Sequence, residues 1–421
     1  MTRSRFEGLL CLSLAGALAA TTGCGGGAST SSSSNSGSGT GTGTNPSVSN
    51  VQPITVNTGP TAGPPLNSPY INGAFTSVTV CIPGSTTSCQ TISGILVDTG
   101  SSGLRILSSA LTAISLPQQT DSNSNPIVEC LPFLDGITWG PVETADMTIA
   151  GEEAKSLPLQ VIGSTTFSTI PATCTSMGTP EDDLAALGAN GILGVGSFAQ
   201  DCGSACTVSG GSNPGLYYTC PNSGCEVTTE SLSSQVQNPV VLFATDNNGV
   251  IIELPSVTGA ETSVSGSIIF GIGTQSNNGL GSATVYTIDP NIGNFTSVFN
   301  GTSYGDASYI DSGSNAIYFL DSNATGLPTC TDASYWYCPT TTQNLSATNQ
   351  GFGNGASGSV NFVVGNADTL TVLETTGAAN GLAGPNSGSF DWGLPFFFGR
   401  NVYTAIEGKD TPAGAGPYWA Y

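Results

Sequence analysis

The sequence contains no histidine. That absence removes the Ser-His-Asp and Cys-His engines and the usual zinc sites, and it leaves carboxylates as the groups able to carry acid–base chemistry. Basic residues are nearly as scarce, with 6 Lys and Arg against 28 Asp and Glu in 421 residues. So acidic a surface repels nucleic acid and anionic lipid, which excludes nucleic acid as a partner. It also gathers little positive charge as pH falls, which suits acid conditions and serves plain solubility equally well. Apolar spacing of helical period is rare, and after the first residues no run is long and apolar enough to span a bilayer. Glycine, serine, threonine and asparagine abound instead, and the chain reads as all-β with few short helices.

At the start, Arg3 and Arg5 precede an apolar run from Leu9 to Ala20, and Thr21-Thr22-Gly23-Cys24 follows. This is the order of an export signal. Cys24 is either the lipidated first residue of a bacterial lipoprotein or lies beyond a plain cleavage after Ala17-Leu18-Ala19. Residues 1–24 are therefore read as signal and 25–65 as a flexible Ser/Gly/Thr/Pro tether. The expected location is the bacterial cell envelope, with the membrane reached only through a lipid on Cys24. Without Arg3, Arg5 and Glu7, 27 acidic residues face 4 basic ones (Arg105, Lys155, Arg400, Lys409).

Twelve cysteines in an exported chain read as disulfides. Setting aside Cys11 and Cys24, close spacing pairs Cys81 with Cys89, Cys202 with Cys206, Cys220 with Cys225 and Cys330 with Cys338, which leaves Cys130 for Cys174. Metal binding by the cluster from Cys202 to Cys225 is the alternative, disfavoured by its irregular spacing.

The chain is organised around two stretches. In Ile95 to Leu107, ILVDTGSSGLRIL, an apolar strand delivers Asp98 into a turn of small residues. In Ser308 to Leu320, SYIDSGSNAIYFL, Tyr309 and Ile310 deliver Asp311 into a second such turn. The pair resembles the doubled D-[TS]-G-[TS] signature of the pepsin-like aspartic peptidases. One copy is weak, since an Asx-turn produces the same string; two copies, each between apolar runs, are far more specific. The resemblance runs in order from about Tyr70 to Ile406. It implies a bilobal double β-barrel with a cleft between lobes, the N-terminal lobe at 66–275 with Asp98 and the C-terminal lobe at 276–421 with Asp311.

The same resemblance assigns roles. Thr99 and Ser312 would exchange hydrogen bonds between the loops, Gly100 and Gly313 would let backbone N–H groups reach the carboxylates, and Ser101 and Ser314 would bond the outer oxygens. Residues 133–151 resemble the family's flap, either with Phe133 at the usual tyrosine position and Asp135-Gly136 at the tip, or with Trp139 at that position in a shorter hairpin. Arg105 stands where the family commonly has tryptophan, read here as a solvated strand-end residue or a cation on the Trp139 face. Gly191 to Gly196 resembles the segment threading behind the first aspartate loop, and Phe390 to Arg400 the closing segment. Asn238 to Leu242 and Gly266 to Gly273 resemble strands crossing between lobes. Phe198 to Glu226 reads as a stapled surface insertion.

Two touching carboxyls cannot both ionise, so such a pair holds one proton, and one member can act as base and the other as acid on a shared water. The expectation is a monomeric aspartic endopeptidase of peptide or protein substrates, with no cofactor and no metal. The alternative is a pepsin-like lipoprotein that binds a peptide or polymer without cutting it.

Overall fold

The computed structural model describes residues 50–61, 66 and 69–421. The signal, Cys24 and most of the tether fall outside them. The tether also ends earlier than its composition suggests, because Val51–Asn57 is a strand paired with Val264–Phe270 and with Gly73–Cys81.

The described chain is mostly strand, with helices of no more than a turn or so. A sheet of fifteen strands carries the first half of the chain and several later strands, and a second sheet has seven. Within the larger sheet, Gly73–Cys81 pairs with Cys89–Asp98 and also back onto Ile137–Ile149, closing six strands into a barrel. The division expected at residue 275 is not a break between sheets. Val285–Thr287, Arg400–Ala405 and Tyr418–Ala420 all belong to the larger sheet, since Gly249–Leu254 hydrogen-bonds Arg400–Ala405 along its length.

Each aspartate sits at the end of one strand of a matched trio. Cys89–Asp98 lies parallel to Gly191–Val195, which is antiparallel to Ser102–Leu107, so a distant strand runs between the two that flank the Asp98 loop. Thr302–Ile310, Asn386–Trp392 and Ile317–Leu320 repeat this arrangement around Asp311. A glycine close to the end of each inserted strand permits the close approach: a Cβ on Gly194 would lie 2.8 Å from Gly103 N, and one on Gly393 2.0 Å from Ala316 O.

The cores differ in kind. The barrel is filled by aliphatic side chains such as Val78, Val97, Leu104, Leu159 and Leu193. Around the second trio, Phe319, Phe362, Phe390 and Trp392 pack ring on ring at 5.2 to 5.5 Å, arrangements that aromatic quadrupoles favour.

Five disulfides join the four close pairs and the remaining pair, Cys130 and Cys174. The four cysteines from Cys202 to Cys225 are thereby used up, which removes the metal alternative. Asn238 to Leu242 is not a strand: Pro239–Leu242 is a 3-10 turn, with the Asn238 side chain accepting from Val240 N and proline in its first positions. Nor is Phe198 to Glu226 a mere excursion. Its strand Tyr217–Thr219 extends the sheet beyond Ile127–Pro132 and buries Tyr217 and Tyr218.

Candidate active site

The two loops lock together at their backbones. Thr99 N donates to Ser312 Oγ (3.1 Å), while Ser312 N donates to Thr99 Oγ1 (2.9 Å). Each hydroxyl in turn donates to a carbonyl preceding the opposite aspartate: Thr99 to Ile310 O at 3.3 Å, Ser312 to Val97 O at 2.8 Å. Thr99 and Ser312 are buried, so these bonds face no competition from water.

Above this brace the carboxyls face one another. A Cβ on Gly100 would lie 2.5 Å from Asp311 Cγ, and one on Gly313 would lie 2.8 Å from Asp98 Cγ. Each carboxyl therefore rests against the other loop's glycine, and only glycine leaves the room. Within each loop the support is matched. Gly100 N donates to Asp98 Oδ1 and Gly313 N to Asp311 Oδ1, both at 2.7 Å. Ser101 Oγ donates to Asp98 Oδ2, and Ser314 Oγ lies 2.9 Å from Asp311 Oδ2. Burial, the Asp98 charge and Asp391 push the Asp311 carboxyl well above the usual carboxylate range.

Two residues of the segment before Gly73 reach this centre without any sequence signal tying them to it. The Tyr70 hydroxyl donates to Gly313 O at 3.4 Å. Burial, then Asp135, Asp98 and Asp311, raise its proton affinity, so the phenol stays a donor. Asn72 is buried and donates to Asn315 O (2.8 Å) and Ala379 O (3.0 Å), tying this segment to the second loop.

The hairpin of Ile127–Pro132 and Ile137–Ile149 closes through Phe133 N donating to Gly136 O at 2.7 Å. Phe133 is half-buried, Leu134 and Asp135 are exposed at the tip, and Gly136 is buried. Trp139 pairs with Cys130 along the arm, so the shorter hairpin of the second register is not formed. Trp139 is buried there, with Nε1 donating to Phe167 O (2.7 Å) and its ring edge-on to Tyr218.

Arg105 is neither solvated nor set on Trp139. It is fully buried, with Nη2 2.9 Å from both Glu129 Oε1 and Asp201 Oδ2 and Nη1 donating to Ser102 O at 2.8 Å. Its guanidinium lies 5.9 Å from the Phe133 ring centre. Tyr217 donates to Asp201 Oδ1 at 2.8 Å, so the stapled insertion supplies two members of this cluster. Burial and the neighbouring Glu129 push Asp201 up, against the pull of Arg105.

Residues 46–421 match a family described as "Protein of unknown function (DUF3443)". No curated protein matches the chain.

Proposed function

The chain belongs to this DUF3443 family, and we propose that it is an aspartic endopeptidase of pepsin-like, two-lobed plan. In this reading Asp98 and Asp311 hold a water and hydrolyse peptide bonds at acid pH. The observation that carries it is the pair of interlocked loops, which set the two carboxyls against each other's glycines.

The chemistry follows from the asymmetry of the pair. Asp311, raised by burial and by its acidic neighbours, holds the proton and polarises the scissile carbonyl. Asp98, held by Gly100 N and Ser101 Oγ, takes the proton of the attacking water. The proton then passes to the leaving amine through the pair, whose titration belongs to both residues together. The hairpin tip from Phe133 to Gly136 closes over the substrate, and Tyr70 supplies a phenolic donor between tip and carboxyls. The five disulfides fit an exported, oxidising setting, in keeping with a chain anchored at the cell envelope.

The test is cleavage of an unfolded protein across about pH 2 to 7 by the wild type, Asp98→Ala and Asp311→Ala, with native disulfides verified. Wild-type cleavage at acid pH that is blocked by a statine-type analogue, with each variant folded and slower by on the order of 10³-fold or more, supports the reading. Equal inertness of all three overturns it in favour of a peptide- or polymer-binding protein.

A further inference from the structure

An acid stands directly behind the second aspartate loop. Asp391 lies on the inserted strand Asn386–Trp392, opposite Tyr309 on one side and Tyr318 on the other. Its side chain is fully buried. One carboxyl oxygen lies 2.6 Å from Ser314 Oγ, and the other has no hydrogen-bond partner. Among the described residues no Lys or Arg pairs with it.

Ser314 therefore sits between two acids, 2.9 Å from Asp311 Oδ2 and 2.6 Å from Asp391 Oδ2. A hydroxyl carries one hydrogen and can donate to only one of them. The other contact is a hydrogen bond only if that carboxyl brings a proton of its own. Asp391 is the member that does so: the proton of Asp311 is shared with Asp98, and an ionised carboxylate at 391 would be buried with one oxygen orphaned and no cation in reach. The strand does not need an acid at this point. Aligning Gly194 with Gly393 puts Asp391 at the position of Ile192, which is apolar and buried.

We propose that Asp391 is a positioning residue of the carboxyl pair: protonated, it donates to Ser314 Oγ and so commits the Ser314 hydrogen to Asp311, and its ionisation sets the upper pH limit of activity. This rests on the reading of Asp98 and Asp311 as the reacting pair. Once Asp391 ionises, the Ser314 hydrogen turns toward it, Asp311 loses its outer donor, and a second negative charge stands beside the pair. The titratable groups facing Asp391 are Asp311 and Asp98 from the two loops and Tyr309 and Tyr318 from the flanking strands. Burial first, and then the acids Asp391 and Asp311, keep Tyr309 protonated. Burial and the Asp98 charge also raise Asp391 itself well above the usual range.

The experiment compares the wild-type chain with Asp391→Asn and Asp391→Ile. Asparagine keeps a donor toward Ser314 and never ionises; isoleucine copies the first loop and donates nothing. The expected result is a kcat about 10-fold lower in Asp391→Ile with KM little changed, and most of that loss restored in Asp391→Asn. The alkaline limb of the Asp391→Asn pH profile should move up by about 1 unit or more. Superimposable profiles for wild type and Asp391→Asn overturn the proposal. An infrared carbonyl band of a protonated acid, present in the wild type at about pH 4 and lost in Asp391→Asn, reads the proton without any need for cleavage, and its absence also overturns the proposal. A wild type that cuts nothing overturns the peptidase reading alone, and the band then still decides the protonated Asp391–Ser314 link.

Discussion

Behind Asp98 the inserted strand is apolar and presents Ile192 opposite Arg105; behind Asp311 the matching positions hold Asp391 opposite Tyr318. The loops themselves are near copies, with the same backbone N–H on the inner oxygen and a serine at the outer one. What differs is how each half buries carboxyls. The first half surrounds a cation with two acids, and that cluster bonds Ser102 O rather than Asp98. The second half buries an acid with no cation and links it to Asp311 through one hydroxyl. Burial first, then the Asp98 charge and Asp391 from behind the loop, push the Asp311 carboxyl well above the usual carboxylate range.

The largest expected effect comes from breaking the ionic side of this comparison. Arg105→Met should cost about 3–5 kcal/mol, because it leaves Glu129 buried without its cation. Replacing Arg105, Glu129 and Asp201 together by apolar residues should recover much of that loss. Urea unfolding of both variants checks the pair of statements. If Arg105→Met unfolds like the wild type, the cluster does not stabilise the first half.

The staples offer the next contrast. The Cys130–Cys174 bridge closes a separation of 44 residues and Cys330–Cys338 only 8. Chain entropy gives about 4 kcal/mol for the first and about 2.5 kcal/mol for the second. Double alanine variants compared by denaturant midpoint should rank in that order, and the reverse ranking would mean that local packing outweighs loop closure.

How much of this was legible depended on how local each signal was. The twin loops, the glycine segments and four of the pairings rest on residue types at fixed or short spacing, the fifth pairing follows by elimination, and the structure has these loops and pairs in place. Arg105 was misread because its partners lie 24 and 96 residues away and meet it only after the barrel closes. Trp139 was the second choice for the flap's tyrosine position, yet its ring packs on Tyr218, on a strand whose role the cysteine-rich composition disguised. Asn238 to Leu242 has the β-branched look of a strand, but Asn-Pro is a cap, and the cap prevailed. Asp391 carried a signal that went unused: an acid inside a segment whose counterpart, Gly191 to Gly194, is wholly apolar. Tyr70 and Asn72 had none, since nothing in their spacing links them to either aspartate.

Glu143 provides a third way of treating a carboxyl, and the smallest effect. It is half-buried, and burial alone moves it up to about 7, with neither the cation of Asp201 nor the full enclosure of Asp391. Its folded value lies above its unfolded one, so the folded chain keeps a proton that the unfolded chain gives up. Stability from this group is therefore whole below about pH 4.5 and is lost as pH rises to about 7. Glu143→Gln removes that slope. Because the group is partly solvated, the gain at about pH 8 should stay below about 1 kcal/mol, with no gain at about pH 4. Melting temperatures at the two pH values decide it. An equal shift at both would mean that the glutamine acts through packing, whereas a gain confined to the higher pH would place Glu143 between the paired acid of the first half and the enclosed acid of the second.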